Sequence, residues 1–178
     1  MAQEEHRYVR LAKEAIRHYM ATGEILAPET VADDPPPCGV FVSLHEPPPP
    51  GDADGPLRGC VGSYEPRERT LRREIAHSAV AAAFSDPRFP PLQPDELDGL
   101  HVTVYLLGAT EPVEDLEQLD PARYGVLVEG PGGRRGLLLP AIPGITTIEQ
   151  QVDLVLKKAS FSPYDPIRLY RFPATIII

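Results

Sequence analysis

The chain has 178 residues, 42% of them apolar and 24% charged, which is the balance of a soluble globular protein large enough to bury its own core. A net charge of −9 argues against a non-specific nucleic-acid binder, which needs a basic footprint. No apolar run approaches the length of a membrane span, and two cysteines, Cys38 and Cys60, make no disulfide framework, so a reducing cytoplasm is the expected location. The first helix is expected over Glu4–Thr22, where Tyr8, Leu11, Ala12, Ala15, Ile16, Tyr19 and Met20 recur at helical spacing and Gly23 supplies a stop. Such a stripe is core packing, so His6 and His18 carry no chemistry. Residues 26–37, rich in proline, read as an extended connection.

From Gly39 to His45 the chain alternates, with Val40, Val42 and Leu44 on one face and Phe41, Ser43 and His45 on the other; that is a strand. Prolines at 47–50 and 56 around Gly51–Gly55 make a stiff loop. A second strand starts at Leu57 and pairs antiparallel with the first. Thr70 caps a helix running to about Phe84, whose alanines permit close packing on a sheet. Asp86-Pro87 ends it, and Asp86-Pro87-Arg88-Phe89-Pro90-Pro91-Leu92 reads as a rigid loop. A strand follows at His101–Leu107. Pro112–Leu119 is ambiguous. Tyr124–Glu129 and Arg135–Leu139 flank a glycine-rich turn and make a hairpin. Thr146–Glu149 matches a capping box opening a helix through Ala159, with Lys157 and Lys158 in its last turn. Two closing strands, Ile167–Phe172 and Ala174–Ile178, are expected either side of Pro173. Strands come in neighbouring pairs rather than alternating with helices, so the fold class is α+β with antiparallel sheet. No repeat or linker divides the chain.

The chemistry concentrates in Leu57-Arg58-Gly59-Cys60-Val61-Gly62. On a strand, Arg58 and Cys60 share one face, while Gly59 and Gly62 admit a ligand or another backbone. A cation beside a thiol favours the thiolate, the form that acts as nucleophile, and His45 and His77 are the candidate bases. Against this stands the ordinary role of a buried cysteine as a small apolar residue. Metal-ligand spacing, phosphate-cradling loops and nucleophile elbows are absent from the sequence, so no metal or cofactor is expected.

Several blocks together carry a family likeness: Gly39–Leu44, Leu57–Gly62, Asp86–Leu92, Gly136–Pro140, and Glu149-Gln150-Gln151 leading to Lys157-Lys158-Ala159. The chain resembles the AMMECR domain family over most of its length. The resemblance implies a single domain over residues 1–178, made of mainly antiparallel sheet and flanking helices in two closely packed, intertwined lobes. The Arg-Gly-Cys strand would lie near the cleft between them. It also implies a place beside a Memo-like protein and a radical S-adenosylmethionine protein, as the first member of the AmmeMemoRadiSam set. The expected site is Cys60 as the catalytic candidate, with Arg58, Gly59, Gly62, Asp86 and Arg88 binding a ligand. Either arginine could instead only buttress the fold by pairing with an internal acid. Acyl or amide transfer is the chemistry such a thiolate most readily supports. At Ala159-Ser160-Phe161 the chain departs from the commoner Ala-Gly-aliphatic pattern, which puts only the end of the last helix in question.

Overall fold

The computed structural model describes residues 5–50, 55–162 and 164–178. The fold is α+β, with three α-helices and antiparallel strands. It divides into two compact units, residues 1–106 with Ile176–Ile178, and Leu107–Thr175.

In the first unit, β1 (Val40–His45) is the central strand. It pairs antiparallel with β2 (Leu57–Ser63) on one side and β3 (His101–Leu107) on the other. The alternation read in β1 decides which face is covered. Val40, Val42 and Leu44 are fully buried in one apolar cluster with Leu71, Ile75, Ala79 and Ala82 of α2 (Leu71–Phe84) and Leu11, Ala12 and Ile16 of α1 (Arg7–Thr22). Ile177 joins this cluster from the end of the chain, so the isoleucine-rich terminus is in part covered.

α1 is capped by His6, whose ring nitrogen accepts the Tyr8 amide, and it ends at Gly23 in the left-handed conformation (φ 74°). His6 thus has a structural task that helical spacing does not reveal. The expected start at Glu4 and the centre of the 46–56 loop lie outside the described residues. Thr70 caps α2 as expected, its hydroxyl accepting the Arg73 amide.

In the second unit, β5 (Tyr124–Glu129) pairs with β6 (Arg135–Leu138) in the expected hairpin, and with β7 (Arg168–Ile177) on its other side. The ambiguous segment contributes a two-residue strand, β4 (Glu111–Pro112), paired to β7, and a short 3-10 turn at Leu116–Gln118. The helix α3 (Ile148–Lys158) packs on β5 and β6, with Val155 buried against Val126, Val128 and Leu138.

Three details differ from the sequence reading. The capping box is made by Thr147 and Gln150 instead of Thr146 and Glu149, because the first helical residue is Ile148. The closing strand runs unbroken through Pro173: that residue has no N–H to give, but its carbonyl accepts the Gly108 amide. At the end of α3, Ser160 takes the left-handed position (φ 54°) that glycine usually fills.

The Ser160 side chain is exposed, so glycine there would lose little packing and relieve the backbone. Ser160→Gly should stabilise the protein by about 1 kcal/mol; an unchanged or lower midpoint in chemical denaturation would contradict it.

Candidate functional site

β2 is an edge strand, paired to β1 alone. Its register is not uniform. Leu44 pairs with Gly59 and His45 with Leu57, so Arg58 is the extra residue of a bulge. A bulge re-aims its side chain, and here the guanidinium meets Glu96 in a two-point fork. Nε donates to Oε1 at 2.8 Å and Nη2 to Oε2 at 3.0 Å, while Nη1 donates to the Pro90 carbonyl at 3.0 Å. Arg58 is only 7% exposed. The fork holds the Glu96 carboxyl below its usual range against the opposing effect of burial, with the Gln93 amide assisting. All three nitrogens of Arg58 are thus engaged inside the fold, and it buttresses the 90–96 segment.

Gly59 faces α2. A Cβ built on it would stand 2.2 Å from the Ala82 carbonyl oxygen, a contact no side chain could occupy, so glycine here sets how closely α2 lies on β2. Gly62 has a comparable reason: its missing Cβ would meet the Phe41 ring at 2.6 Å and the Val40 carbonyl at 2.1 Å. Both glycines admit a neighbouring part of this chain.

Beyond α2, the loop from Asp86 turns back along the open edge of β2. Asp86 is buried, and its Oδ2 accepts the Cys60 amide at 2.9 Å. The same carboxylate takes both points of the Arg88 guanidinium, from Nε at 2.9 Å and Nη2 at 2.7 Å, and also the Arg88 amide at 3.1 Å. Arg88 Nη2 in turn reaches the Cys60 carbonyl at 3.3 Å. One aspartate–arginine pair therefore satisfies both outward main-chain groups of Cys60, the work a neighbouring strand would otherwise do. The Arg88 hydrogen bonds lower the Asp86 pKa to about 2, with the Cys60 and Arg88 amides assisting and burial opposing. Arg88 is raised by the same pair and feels the Cys60 thiol nearby. Its side chain is 53% exposed, lies over the Phe89 ring, and is flanked by exposed Pro87, Pro90 and Pro91.

Cys60 is half-buried and not in a disulfide. It stands opposite Ser43 on β1. Because its own N–H and C=O point outward, this is a non-hydrogen-bonded pair, the kind whose side chains approach most closely. Of the two candidate bases, His45 shares that face. His77 sits on α2, which covers the opposite face, and pairs with Glu68 at 3.4 Å. The structure thus bonds Cys60, Asp86 and Arg88 to one another, and Arg58 to the same loop at Pro90 and to Glu96. Two members carry no sequence signal of their kind: Glu96, an ordinary loop acid, and the Ala82 carbonyl. Ser43 was visible only as a strand residue two places from His45. The second unit holds a separate cleft of about 340 Å³, lined by Pro112, Val113, Leu116, Ile167, Leu169 and Tyr170 among others, which includes none of the expected residues. Among the described residues no group of three or more His, Cys, Asp or Glu side chains could hold a metal ion, and no helix is long and apolar enough to cross a membrane.

The AMMECR1 family model matches residues 9–177, nearly the whole chain and all of this assembly. The chain belongs to the AMMECR1 family. It is 44% identical to a protein of Thermotoga maritima over 172 residues, covering 94% of this chain and 95% of the relative. It is 36% identical over 177 residues to a Clostridium acetobutylicum protein, covering 97% of this chain but 36% of that longer one. An uncharacterized protein of Pyrococcus horikoshii has a crystal structure that matches with a TM-score of 0.83 at 33% identity, covering 95% of this chain and 88% of that one. In this AMMECR1-family chain, then, Arg58-Gly59-Cys60 and Asp86–Leu92 are the two halves of one bonded edge.

Replacing Asp86 by alanine strands the Cys60 amide and releases Arg88, whose guanidinium can recover water. The expected loss is about 2–3 kcal/mol. A carboxylate depressed by folding contributes stability that is complete above its unfolded pKa and is lost as pH falls through its folded one. Wild type should therefore lose part of its stability between about pH 4 and pH 2, a part missing from Asp86→Ala. Parallel pH slopes for the two proteins in urea unfolding would refute the assignment.

Proposed function

We propose that this domain is a small-ligand or partner-binding module that works with radical S-adenosylmethionine and Memo-like proteins. The observation that supports this reading is the exposed 87–91 loop. It is fixed by Asp86 at one end and by Leu92 at the other, whose side chain is buried and whose amide donates to the Ala83 carbonyl. Prolines restrict the stretch between. Such a loop loses little entropy when a partner settles on it. It presents a half-exposed guanidinium, stacked on Phe89, and three prolines as its contact surface. Arg58, buried and fully engaged, supports the surface from beneath, and Arg88 is the member placed to meet a partner's carboxylate or phosphate with its outer nitrogen.

A second reading, a cysteine-dependent enzyme using Cys60 with Arg58, Asp86 and Arg88, is favoured by one observation, the Arg88 guanidinium beside the thiol. Acyl or amide transfer is poorly supported in it. The Cys60 amide, a natural donor to a developing oxyanion, is already given to Asp86.

Mixing the purified protein with radical S-adenosylmethionine and Memo-like proteins at micromolar concentration tests the binding reading. Association is expected, and Arg88→Ala should weaken it about tenfold or more, whereas Arg171→Ala in the second unit should leave it unchanged. No association of the wild type at these concentrations would remove the proposal.

A further inference from the structure

The face of the β2–β1–β3 sheet that carries Cys60 also carries an ordered chain of polar groups. Ser43, 3% exposed, has its hydroxyl 2.7 Å from His45 Nε2, and His45 Nδ1 is 3.0 Å from the Gly55 carbonyl oxygen. A carbonyl can only accept, so Nδ1 carries the imidazole proton and Nε2 is left as an acceptor. The Ser43 hydroxyl therefore donates to His45. The order carbonyl, imidazole, hydroxyl is that of a base oriented by a third group toward the group it deprotonates. A hydroxyl that donates to a base keeps lone pairs to accept from a neighbour, and the neighbour across the strand is Cys60.

We propose that His45, acting through Ser43, takes the proton of Cys60, so that this sheet face is a thiolate-generating site. The inference deepens the cysteine reading above and rests on it. As the Cys60 S–H bond breaks, its proton passes to the Ser43 oxygen while the Ser43 proton passes to Nε2 of His45. A thiolate and an imidazolium result, with no net change of charge. Burial of Ser43 limits water in the relay, and Cys60, only half-buried, is within reach of a small reagent. The charged and titratable groups around it are Arg88 and Asp86 from the loop, Arg58 with Glu96 beyond it, and His101, which pairs with His45 from β3. Asp86 pairs with Arg88 and so offsets part of its charge, while the imidazole supplies the proton acceptor that the loop lacks.

The engaged Cys60 amide narrows the substrate class to an electrophile whose attack develops no oxyanion. A small disulfide fits. The thiolate bonds to one sulfur, the disulfide S–S bond breaks, and the departing sulfur takes the proton back from His45 along the same relay. His45 and Ser43 are positioned for proton transfer and Cys60 for bond formation.

The test is the rate of iodoacetamide alkylation of Cys60 against pH, in a Cys38→Ser background, with 2,2′-dithiodipyridine as a second, disulfide probe. The wild-type thiol should titrate at least about one unit below the ordinary value near 8.5. Ser43→Ala and His45→Gln should each move the profile back toward that value and slow both reactions at least fivefold at pH 7, and Ser43→Thr should restore them. Thermal melting confirms that each variant folds; if Ser43→Ala does not, His45→Gln at its half-buried position decides. A wild-type thiol titrating near 8.5 would remove the cysteine reading and the relay with it. A low wild-type value left unchanged by Ser43→Ala and His45→Gln would remove the relay alone, and Arg88→Gln would then carry the shift.

Discussion

A single carboxylate holds the first unit's exposed strand edge in order. Asp86 receives the Cys60 amide, both points of the Arg88 fork and the Arg88 amide, and so joins the strand, the loop and the cation into one piece. An edge strand presents unpaired main-chain groups to any strand that can reach them. Here the outward groups of Cys60 in β2 are closed by a side-chain pair, so this part of the edge is not open to another strand. The pair can do this only because α2 delivers Asp86 to that place, and α2 lies close enough because Gly59 has no side chain to hold it off the Ala82 carbonyl. Glycine, cysteine and aspartate are thus successive steps of one geometric requirement.

That requirement also divides the labour of the two arginines. Arg58 sits where a bulge turns it inward to Glu96, and its burial with a matched carboxylate makes it a structural fork. Arg88 has the same two-point bond but half of its side chain faces solvent, so it remains able to meet something else. The motif therefore builds a stiff surface first. Recognition at the loop and proton transfer along Cys60, Ser43 and His45 would both draw on that stiffness, from opposite directions, since neither a docking partner nor a relay tolerates a strand that slides in register.

The sequence made much of this legible. Alternation in Val40–Leu44 against Phe41–His45 told which face meets the helices, and the alanines of α2 announced close packing on a sheet. Thr70 and Asp86-Pro87 marked where α2 begins and stops. What stayed hidden depended on register and distance. A one-residue bulge cannot be read from composition, so Arg58 was placed by strict alternation on the Cys60 face, whereas its guanidinium is aimed at Glu96. Glu96 itself is a loop acid among many. The choice of Thr147 over Thr146 as cap turned on a one-residue shift in the start of α3, and Pro173 looked like a break because its missing N–H is more visible in sequence than its useful carbonyl. In sequence the glycines of β2 read as room for a ligand or another backbone, and in the fold Ala82 and Phe41 of the chain itself approach there.

The Asp86–Arg88 pair closes the β2 edge at Cys60, and hydrogen exchange at the Cys60 amide tests this most directly. An edge amide facing solvent exchanges quickly, while one held by a buried carboxylate opens only with the unit around it. The Cys60 amide should be protected to nearly the level of the β1 amides, and Asp86→Ala should remove this protection while β1 keeps its own. Rapid exchange at Cys60 in the wild-type protein would contradict it.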